Sequence, residues 1–288
     1  VPESFGAELP VENIGEVENK GFELELHYRQ SIGDFTYSIG GNMTFARNKI
    51  RFIDEPANVP EWQRRTGKPM GQFFGYVSDG LYLTQEQLDS NPKFDWSEPR
   101  LGDIRYRDIN GDGVLTPDDQ TAIGRSRLPE IMYGITLSAS YKGFDFSALI
   151  QGAGRSNVYF SDEAAWEFLY GANPLETIKG RWTPDGSNPD PTYPRLSLYR
   201  NEYKKEASTY WLKDAAYWRL KNIQIGYTIP ASAFEKIGLG IQTFRVYASG
   251  TNLFTRARFE QWDPEAPSGA GGYYPQMKVT SIGLNITF

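Results

Sequence analysis

Oxygen-bearing side chains recur at alternate positions in the segment GDIRYRDINGDGVLTPDDQTAIG, which runs from Gly102 to Gly124. They occupy the first, third and fifth positions of a twelve-residue loop, and an aspartate occupies the twelfth. A glycine at the sixth place permits a sharp turn, and a valine at the seventh offers its backbone carbonyl. This is the oxygen-ligand spacing of a calcium loop, so the segment predicts a structural Ca²⁺ site. The predicted ligands are Asp108, Asn110, Asp112, Val114 and Asp119.

The same segment has a simpler interpretation, because Asp, Asn and Gly are common turn formers and many such loops bind no ion. Asp119 stands where a bidentate glutamate is usual, and Pro117 interrupts the loop. The flanking sequence is typical of strands rather than helices. Both interpretations remain open from the sequence, and any ion bound here would serve to fix the loop.

Large aromatic residues are concentrated in a second segment, between about residues 155 and 213. They could form a small core of their own within a long loop, or they could contact a substrate or a partner protein, because flat apolar rings suit sugars and peptides alike. Sequence does not separate these alternatives. The residues predicted as candidate contacts are Trp166, Trp182, Tyr193 and Trp211.

No constellation of residues predicts catalysis. Glu23, Glu25, His27 and Arg29 alternate with apolar residues and are better explained as one water-facing side of a strand. His27 is the single histidine, and no nucleophile elbow, zinc-binding HExxH or phosphate-binding loop accompanies it. We therefore predict that the protein is not an enzyme, although a glycosidase needs only two carboxylates and carries no such motif.

Composition narrows the class of protein further. Aromatic residues make up 15% of the 288 positions, and the net charge is −6. The negative charge offers no field that would attract a phosphate backbone, so nucleic acid is not an expected partner. The chain has no cysteine, which excludes disulfides and thiolate metal sites. It also has no apolar run of about 18 residues, as a membrane-spanning helix would require.

Period-two alternation predicts seven long β-strands joined alternately by short and long connections. Short turns are expected around Gly33, Gly143 and Gly238, and long loops over residues 49–129, 155–213 and 255–276. A short strand is predicted within Phe73–Leu83. The second long loop should hold two short helices, one from Ser161 to Gly171 and one from Pro174 to Gly180. The long strands are predicted to begin at Gly21, Phe35, Tyr133, Phe144, Ala216, Ile241 and Thr280.

Several motifs along nearly the whole chain resemble the C-terminal barrel portion of SusC/RagA-type TonB-dependent outer-membrane transporters. Chance similarity of so many motifs in one order is improbable. The segments that carry the resemblance are ENKGFE from Glu18, GDIRYRDINGDG from Gly102, YKGFDFSALIQG from Tyr141, TYWLKDAAYWRLKNIQIGYTIP from Thr209, FRVYASGTNLF from Phe244 and SIGLNITF from Ser281.

The resemblance implies an all-β fold, a transmembrane antiparallel up-and-down barrel of about 22 strands, of which residues 1–288 would supply the last strands. The plug domain and the N-terminal strands would lie outside this chain. It also implies a place in the bacterial outer membrane, import of large oligosaccharides or oligopeptides, a SusD-like surface lipoprotein as partner, and energy from the TonB complex acting on the plug. The chain terminus would be read by the assembly machinery of that membrane through Gly283, Leu284, Ile286 and Phe288.

A different class of protein remains as an alternative from sequence. A secreted, calcium-stabilised β-rich carbohydrate-binding module would show the same alternation and the same aromatic loop. The two differ in what covers the apolar strand face, because a sandwich buries that face whereas a barrel turns it toward lipid.

Overall fold

The structure is a computed structural model and describes residues 14–197, 201–234, 240–266 and 270–288. The predicted turn at Gly238 therefore lies outside the described residues. Three short α-helices occur in the described part: α1 (Gln85–Ser90), α2 (Asp162–Ala165) and α3 (Glu202–Lys205). The strands there are β1 (Glu16–Ile32), β2 (Phe35–Phe52), β3 (Phe73–Gly75), β4 (Ser78–Leu81), β5 (Lys93–Phe94), β6 (Ile104–Tyr106), β7 (Val114–Leu115), β8 (Thr121–Ile123), β9 (Ile131–Tyr141), β10 (Phe144–Gly154), β11 (Asn157–Tyr159), β12 (Leu212–Asp214), β13 (Tyr217–Ile229), β14 (Thr243–Ala257) and β15 (Val279–Thr287).

The seven long strands form one antiparallel sheet in the order β1-β2-β9-β10-β13-β14-β15. Each long strand lies beside the next long strand of the chain, which is the predicted up-and-down arrangement. The short strands pair two by two inside the long loops. The predicted all-β fold is thus confirmed, and in this chain the sheet is open, with β1 and β15 at its edges.

Register places every apolar row of the sheet on the same face. Leu24 lies opposite Met43, and Ile39 lies opposite Leu137. Because side chains alternate between faces, the opposite face collects the polar residues. The large apolar side chains are extensively exposed in this chain and come from all seven strands. They include Phe22, Leu24, Leu26, Ile39, Ile135, Phe144, Ile225, Val246, Ile282 and Leu284.

The short connections are tight turns whose backbone matches the twist of the strands. Lys142 and Gly143 both have positive φ, at 46° and 88°, which is typical of the two-residue type I′ hairpin. Gly33 has φ 58° in the turn between β1 and β2. These turns hold neighbouring strands in the register that separates the two faces.

A salt bridge on the polar face spans three strands and depends on a glycine in the middle strand. Arg245 of β14 donates from Nε and Nη2 to the two carboxylate oxygens of Asp145 on β10, at 2.9 and 2.5 Å. Gly226 of β13 lies between them, and a Cβ there would come within 2.5 Å of the guanidinium. Any larger residue at this position would displace the bidentate pair.

The main buried core of the described chain lies in the long loops rather than in the sheet. Tyr76, Tyr106, Tyr203 and Trp211 are almost fully buried there and pack with other aromatic residues. The backbone N–H of Tyr76 donates to the carbonyl of Ala207 at 2.7 Å, which joins the first long loop to the second. The two loops therefore fold together as one body, called the loop body below.

Local predictions within the loops were less accurate than those for the sheet. The predicted strand within Phe73–Leu83 is divided into β3 and β4, with Gly80 at φ 92° inside β4. The predicted helix from Ser161 to Gly171 is wrong in length, because α2 ends at Ala165 and a separate 3₁₀ turn follows at Leu169–Gly171. The second helix is a 3₁₀ turn over Glu176–Gly180. In the part of the chain that the structure describes, no helix is long and apolar enough to span a bilayer.

A pair of adjacent substitutions in β13 tests the assignment of the two faces. Ile225 is 55% exposed on the apolar face, and Gln224 points to the other face. If the apolar face meets lipid, Ile225→Lys in the full-length protein costs about 2–4 kcal/mol near the bilayer centre. We expect the folded fraction of Ile225→Lys, measured by heat-modifiable gel mobility of membrane fractions, to fall sharply.

The matched control is Gln224→Lys, which adds the same charge to the same strand. It should fold as well as the wild type, because its side chain faces water. Equal folded yields for the two variants would contradict a lipid-facing apolar side.

Candidate functional site

Asp108 and Asp112 of the acidic loop bind backbone N–H groups of the loop itself. Asp108 accepts from Gly111 N at 2.6 Å through Oδ1 and from Gly113 N at 2.8 Å through Oδ2. Asp112 Oδ1 accepts from Val114 N at 2.9 Å. Partial burial raises the pKa of Asp108, but the N–H donors outweigh it and hold this pKa below the ordinary value. The loop thus keeps Asp108 ionised.

Asp119, the residue that closes the twelve-residue count, is fully buried. Its Oδ1 accepts from Ile109 N and its Oδ2 from Thr116 N, both at 2.8 Å, so it ties the two ends of the loop together. Asn110 donates to Asp112 at 2.9 Å. Within the described residues, no three His, Cys, Asp or Glu side chains converge closely enough to hold a metal. Asp119 Oδ1 also accepts from Asn110 N at 3.3 Å, whereas each oxygen of Asp108 and Asp112 keeps a second lone pair beside these contacts. The arrangement is compatible with a turn and with a calcium loop. The calcium site stays a prediction.

The four aromatic residues predicted as candidate contacts belong to the loop body. Trp211 and Tyr193 are buried, with 2% and 4% of their surface exposed. Trp211 Nε1 donates to the carbonyl of Lys204 at 2.7 Å, and Tyr193 Oη donates to the carbonyl of Ala165 at 2.7 Å. Trp166 and Trp182 pack against the same core and are partly buried. This arrangement favours a structural role for all four, as a core internal to the loops.

A buried ion pair lies next to these aromatic residues. Lys204 Nζ is 2.5 Å from Glu167 Oε1, and both side chains are at most 4% exposed. Burial raises the pKa of Glu167, but the charge of Lys204 together with the hydrogen bonds from Lys204 and Tyr193 outweighs burial and leaves that pKa below its ordinary value. The single hydroxyl hydrogen of Tyr193 is shared between the carbonyl of Ala165 and Glu167 Oε2, which is also 2.7 Å away. The pair therefore holds the second long loop in one arrangement.

A cavity of about 710 Å³ opens beside this ion pair. Phe168 and Tyr170 stand at its edge with positive φ values of 60° and 50°, and Tyr170 is 87% exposed. Bulky residues rarely adopt this conformation, so the loop holds these two rings outward at some conformational cost. Sequence analysis did not identify Tyr170, because nothing in its neighbours predicts a left-handed backbone.

A buried arginine on the polar face of the sheet anchors the third long loop. Arg219 is 1% exposed. It donates to Asp263 at 2.5 Å, to Glu265 at 2.8 Å, to Gln276 at 2.5 Å and to Thr255 at 3.0 Å. This contact directs the loop over the polar face, where the loop borders a second cavity of about 510 Å³. Sequence analysis missed this role because Arg219 lies far along the chain from Asp263, Glu265 and Gln276.

That second cavity is lined by both polar and apolar residues. Gln151 donates to Tyr217 Oη at 3.3 Å and to Glu265 Oε1 at 3.1 Å, and Tyr217 Oη donates to Glu265 Oε1 at 2.5 Å. Asn42 and Thr44 of β2 complete the wall. Amide, hydroxyl and carboxylate groups together can bind peptides or sugars through hydrogen bonds.

The charged residues at the start of the chain lie on the same polar face and are exposed. Glu23, Glu25 and His27 of β1 face Thr44, Asn42 and Gly40 of β2. Their exposure suits a water-facing wall, as the sequence predicted.

The apolar side chains of the terminal strand β15 lie on the apolar face of the sheet. Leu284 and Ile286 lie opposite Val246 and Phe244 on that face, and Phe288 is 75% exposed. Gly283 faces the other way, where the ring of Tyr247 covers it; a Cβ would come within 2.4 Å of that ring. The role of these residues in assembly stays a prediction.

Comparison with known proteins extends over the whole chain. No protein-family model matches it. TonB-dependent receptor P3 of Formosa agariphila is 29% identical over 315 residues, which cover 100% of this chain and 30% of that protein. TonB-dependent receptor SusC of Bacteroides thetaiotaomicron is 26% identical over 295 residues, which cover 99% of this chain and 28% of that protein. Along its full length, the chain is similar to TonB-dependent receptors. It spans less than a third of their length.

Solved structures show the same fold. The RagAB peptide transporter superposes with a TM-score of 0.73 at 23% identity, over 100% of this chain and 31% of the matched chain. The RagAB peptide importer in the "open-open" state gives a TM-score of 0.72 at 22% identity. The resemblance inferred from the motifs is therefore confirmed, and the chain has the same fold as the matched parts of these structures.

The buried ion pair predicts how the loop body responds to acid. Because Lys204 lowers the pKa of Glu167 in the folded protein, this contribution to stability is complete above the ordinary value of 4.5. It is lost as the pH falls through the folded pKa. We expect the second long loop in the full-length protein to resist proteolysis from neutral pH down to about pH 4.5 and to become sensitive in more acidic buffer.

Glu167→Gln should expose the loop to protease already at neutral pH, because a buried lysine left without its carboxylate destabilises by about 3–5 kcal/mol. Glu176→Gln is the control, since Glu176 pairs with Lys179 at 2.8 Å on the surface. Equal protection of the two variants at neutral pH would contradict a structural role for the buried pair.

Proposed function

We propose that this chain forms the C-terminal strands of a barrel that imports large nutrients across the bacterial outer membrane. The observation that carries the proposal is the sheet with two unlike faces, found in a chain similar throughout to TonB-dependent receptors. The apolar face would meet lipid, and the polar face would line the lumen. Energy would come from TonB acting on a plug domain.

The exposed apolar face also weighs against a secreted carbohydrate-binding module. A sandwich would cover this face with a second sheet. Here each of the seven strands contributes exposed apolar side chains, and the long loops form their core elsewhere. A soluble protein rarely leaves so continuous an apolar surface uncovered, whereas a barrel in a bilayer requires one.

The substrate proposed is an oligopeptide or an oligosaccharide. The cavity bordered by Gln151, Tyr217 and Glu265 supports both classes, because these three side chains offer hydrogen-bond donors and acceptors to either. RagAB is a peptide transporter, which favours peptides. The proposed partner is a SusD-like lipoprotein at the outer mouth formed by the long loops, in the arrangement of a SusC/SusD-type complex. Neither polar-face residues nor relatives support an enzymatic role.

Uptake by intact cells tests the function. Cells that express the full-length protein should accumulate labelled oligopeptides or labelled oligosaccharides, and deletion of the gene should abolish uptake of that class. Deletion of TonB should abolish the same uptake, because either deletion removes the energy-coupled import step. The other substrate class is the internal control. Unchanged uptake of both classes after gene deletion would contradict the proposal.

We further propose that the acidic loop binds a structural Ca²⁺ through Asp108, Asn110, Asp112, Val114 and Asp119. Asp108→Ala combined with Asp112→Ala removes two carboxylates and two sets of loop hydrogen bonds. Elemental analysis of the dialysed full-length protein should then show one calcium fewer per molecule, and proteolysis within residues 102–124 should increase. Transport should be weakened and not abolished, because the ion fixes a loop.

The control is Asp118→Ala, which removes an exposed carboxylate outside the ligand count. It should retain the ion. Equal calcium in the double variant and the wild type would show that the loop is a turn only.

A further inference from the structure

Three arginines from separate segments converge on one glutamate where the strands meet the long loops. Arg155 Nε is 2.6 Å from Glu130 Oε2, and Arg47 Nε is 3.2 Å from Glu130 Oε1. Arg125 Nη1 is 3.9 Å from Glu130 Oε2. Arg47 lies on β2, Glu130 directly precedes β9, and Arg155 directly follows β10, so the cluster joins three neighbouring strands. We call these four residues the rim cluster.

The rim cluster lies on the apolar side of the sheet, directly beyond its last aromatic pair. Phe22 of β1 and Phe45 of β2 face each other on that side, with ring centroids 5.8 Å apart. Arg47 is the next residue of β2 on the same face. The guanidinium of Arg155 lies 5.9 Å from the ring centroid of Phe45. The cluster therefore marks the edge of the apolar band at the end that carries the long loops.

Positive charge exceeds negative charge at this edge. Three guanidinium groups share the one carboxylate of Glu130, whose side chain is only 10% exposed. Beside them, Lys20 and Arg51 share the carboxylate of Glu18. The side chains of Arg47, Arg125 and Arg155 remain 55%, 43% and 39% exposed. One carboxylate cannot satisfy fifteen guanidinium N–H donors, so Glu130 alone leaves donors for a further acceptor.

We propose that the rim cluster binds the phosphate of a lipid headgroup in the surrounding membrane leaflet. Arginine binds phosphate through two parallel hydrogen bonds, and basic clusters beside an apolar membrane surface attract anionic headgroups. Glu130 holds the three guanidinium groups together before the lipid arrives. The left-handed backbone of Arg155, at φ 59°, carries its side chain over Phe45 and into the cluster. This inference rests on the proposed function, because it requires the apolar face to lie in a bilayer.

The test uses the full-length protein in phosphatidylcholine vesicles that contain either diphosphorylated lipid A or the same lipid after enzymatic dephosphorylation. Lipid that remains bound after detergent extraction is counted by native mass spectrometry. We expect the wild type to retain the phosphorylated lipid at least about tenfold better than the dephosphorylated one, in keeping with two or more charge-assisted hydrogen bonds.

The variant that removes the site combines Arg47→Gln, Arg125→Gln and Arg155→Gln, and it should lose this preference. Its control combines Lys93→Gln, Lys179→Gln and Arg258→Gln, which removes the same charge from other surface ion pairs. Changing the three rim arginines to Lys should keep part of the preference, since charge remains but the bidentate geometry is lost. Heat-modifiable mobility shows that each variant is folded.

Three results would overturn the proposal: equal retention by the rim variant and the wild type, equal retention of the two lipids, or displacement of the lipid by millimolar inorganic phosphate. The last would indicate a site for free phosphate. Failure of the proposed function gives a different result, because a protein without a lipid-facing surface would not float with the vesicles in a density gradient.

Discussion

A sheet that separates lipid from water must keep its two-residue alternation in register across every strand. A slip of one residue in any pair would turn a whole strand's apolar row toward water and its polar row toward lipid. The seven long strands satisfy this constraint together, from Phe22 opposite Phe45 at one edge to Phe244 opposite Ile286 at the other. The tight turn at Lys142 and Gly143 and the cross-strand pair of Asp145 and Arg245 both act to hold that register. The loops can then be long and irregular, because they begin from fixed strand ends.

The constraint also explains why the described chain has its core in the loops. In the proposed barrel, one face of the sheet would meet lipid and the other a water-filled lumen, so neither face would be left for a water-free core. The loops must therefore supply their own packing, and they do so with the aromatic body around Tyr106, Tyr203 and Trp211. Buried ion pairs stabilise this body and also attach a loop to the sheet. Glu167 and Lys204 pair within it, and Arg219 ties the third loop to β13.

Sequence alone could predict the parts that depend on local pattern. Alternation located the long strands, and the Gly-containing turns located two of the hairpins in the described chain. It could not predict the bulge in β13, where Leu220 and Ile223 share the apolar face although three positions separate them. The extra residue at the bulge shifts the alternation by one position, so the apolar residues on both sides of it lie on one face. Only the pairing with the neighbouring strands shows this. The burial of Trp211 and the partners of Arg219 were equally inaccessible, because they join segments distant in sequence. The Asp108 spacing was visible, but a turn and a calcium loop use the same residues, so pattern alone could not assign its chemistry.

Two sites built on arginine show how the ratio of arginines to carboxylates determines what such a site can do. Arg219 is a single cation that meets two carboxylates, from Asp263 and Glu265, and it is buried almost completely. Its guanidinium donates four hydrogen bonds within the protein, so Arg219 acts to hold the loop in place. At Glu130 the ratio is reversed, with three guanidinium groups on one carboxylate and all three partly exposed. Glu130 cannot pair with all of the N–H donors in this cluster. The cluster lies beside the apolar face, where the nearest abundant acceptors would be lipid headgroups. The same side chain is thus an internal anchor on the wet face and a candidate binding group on the outer one.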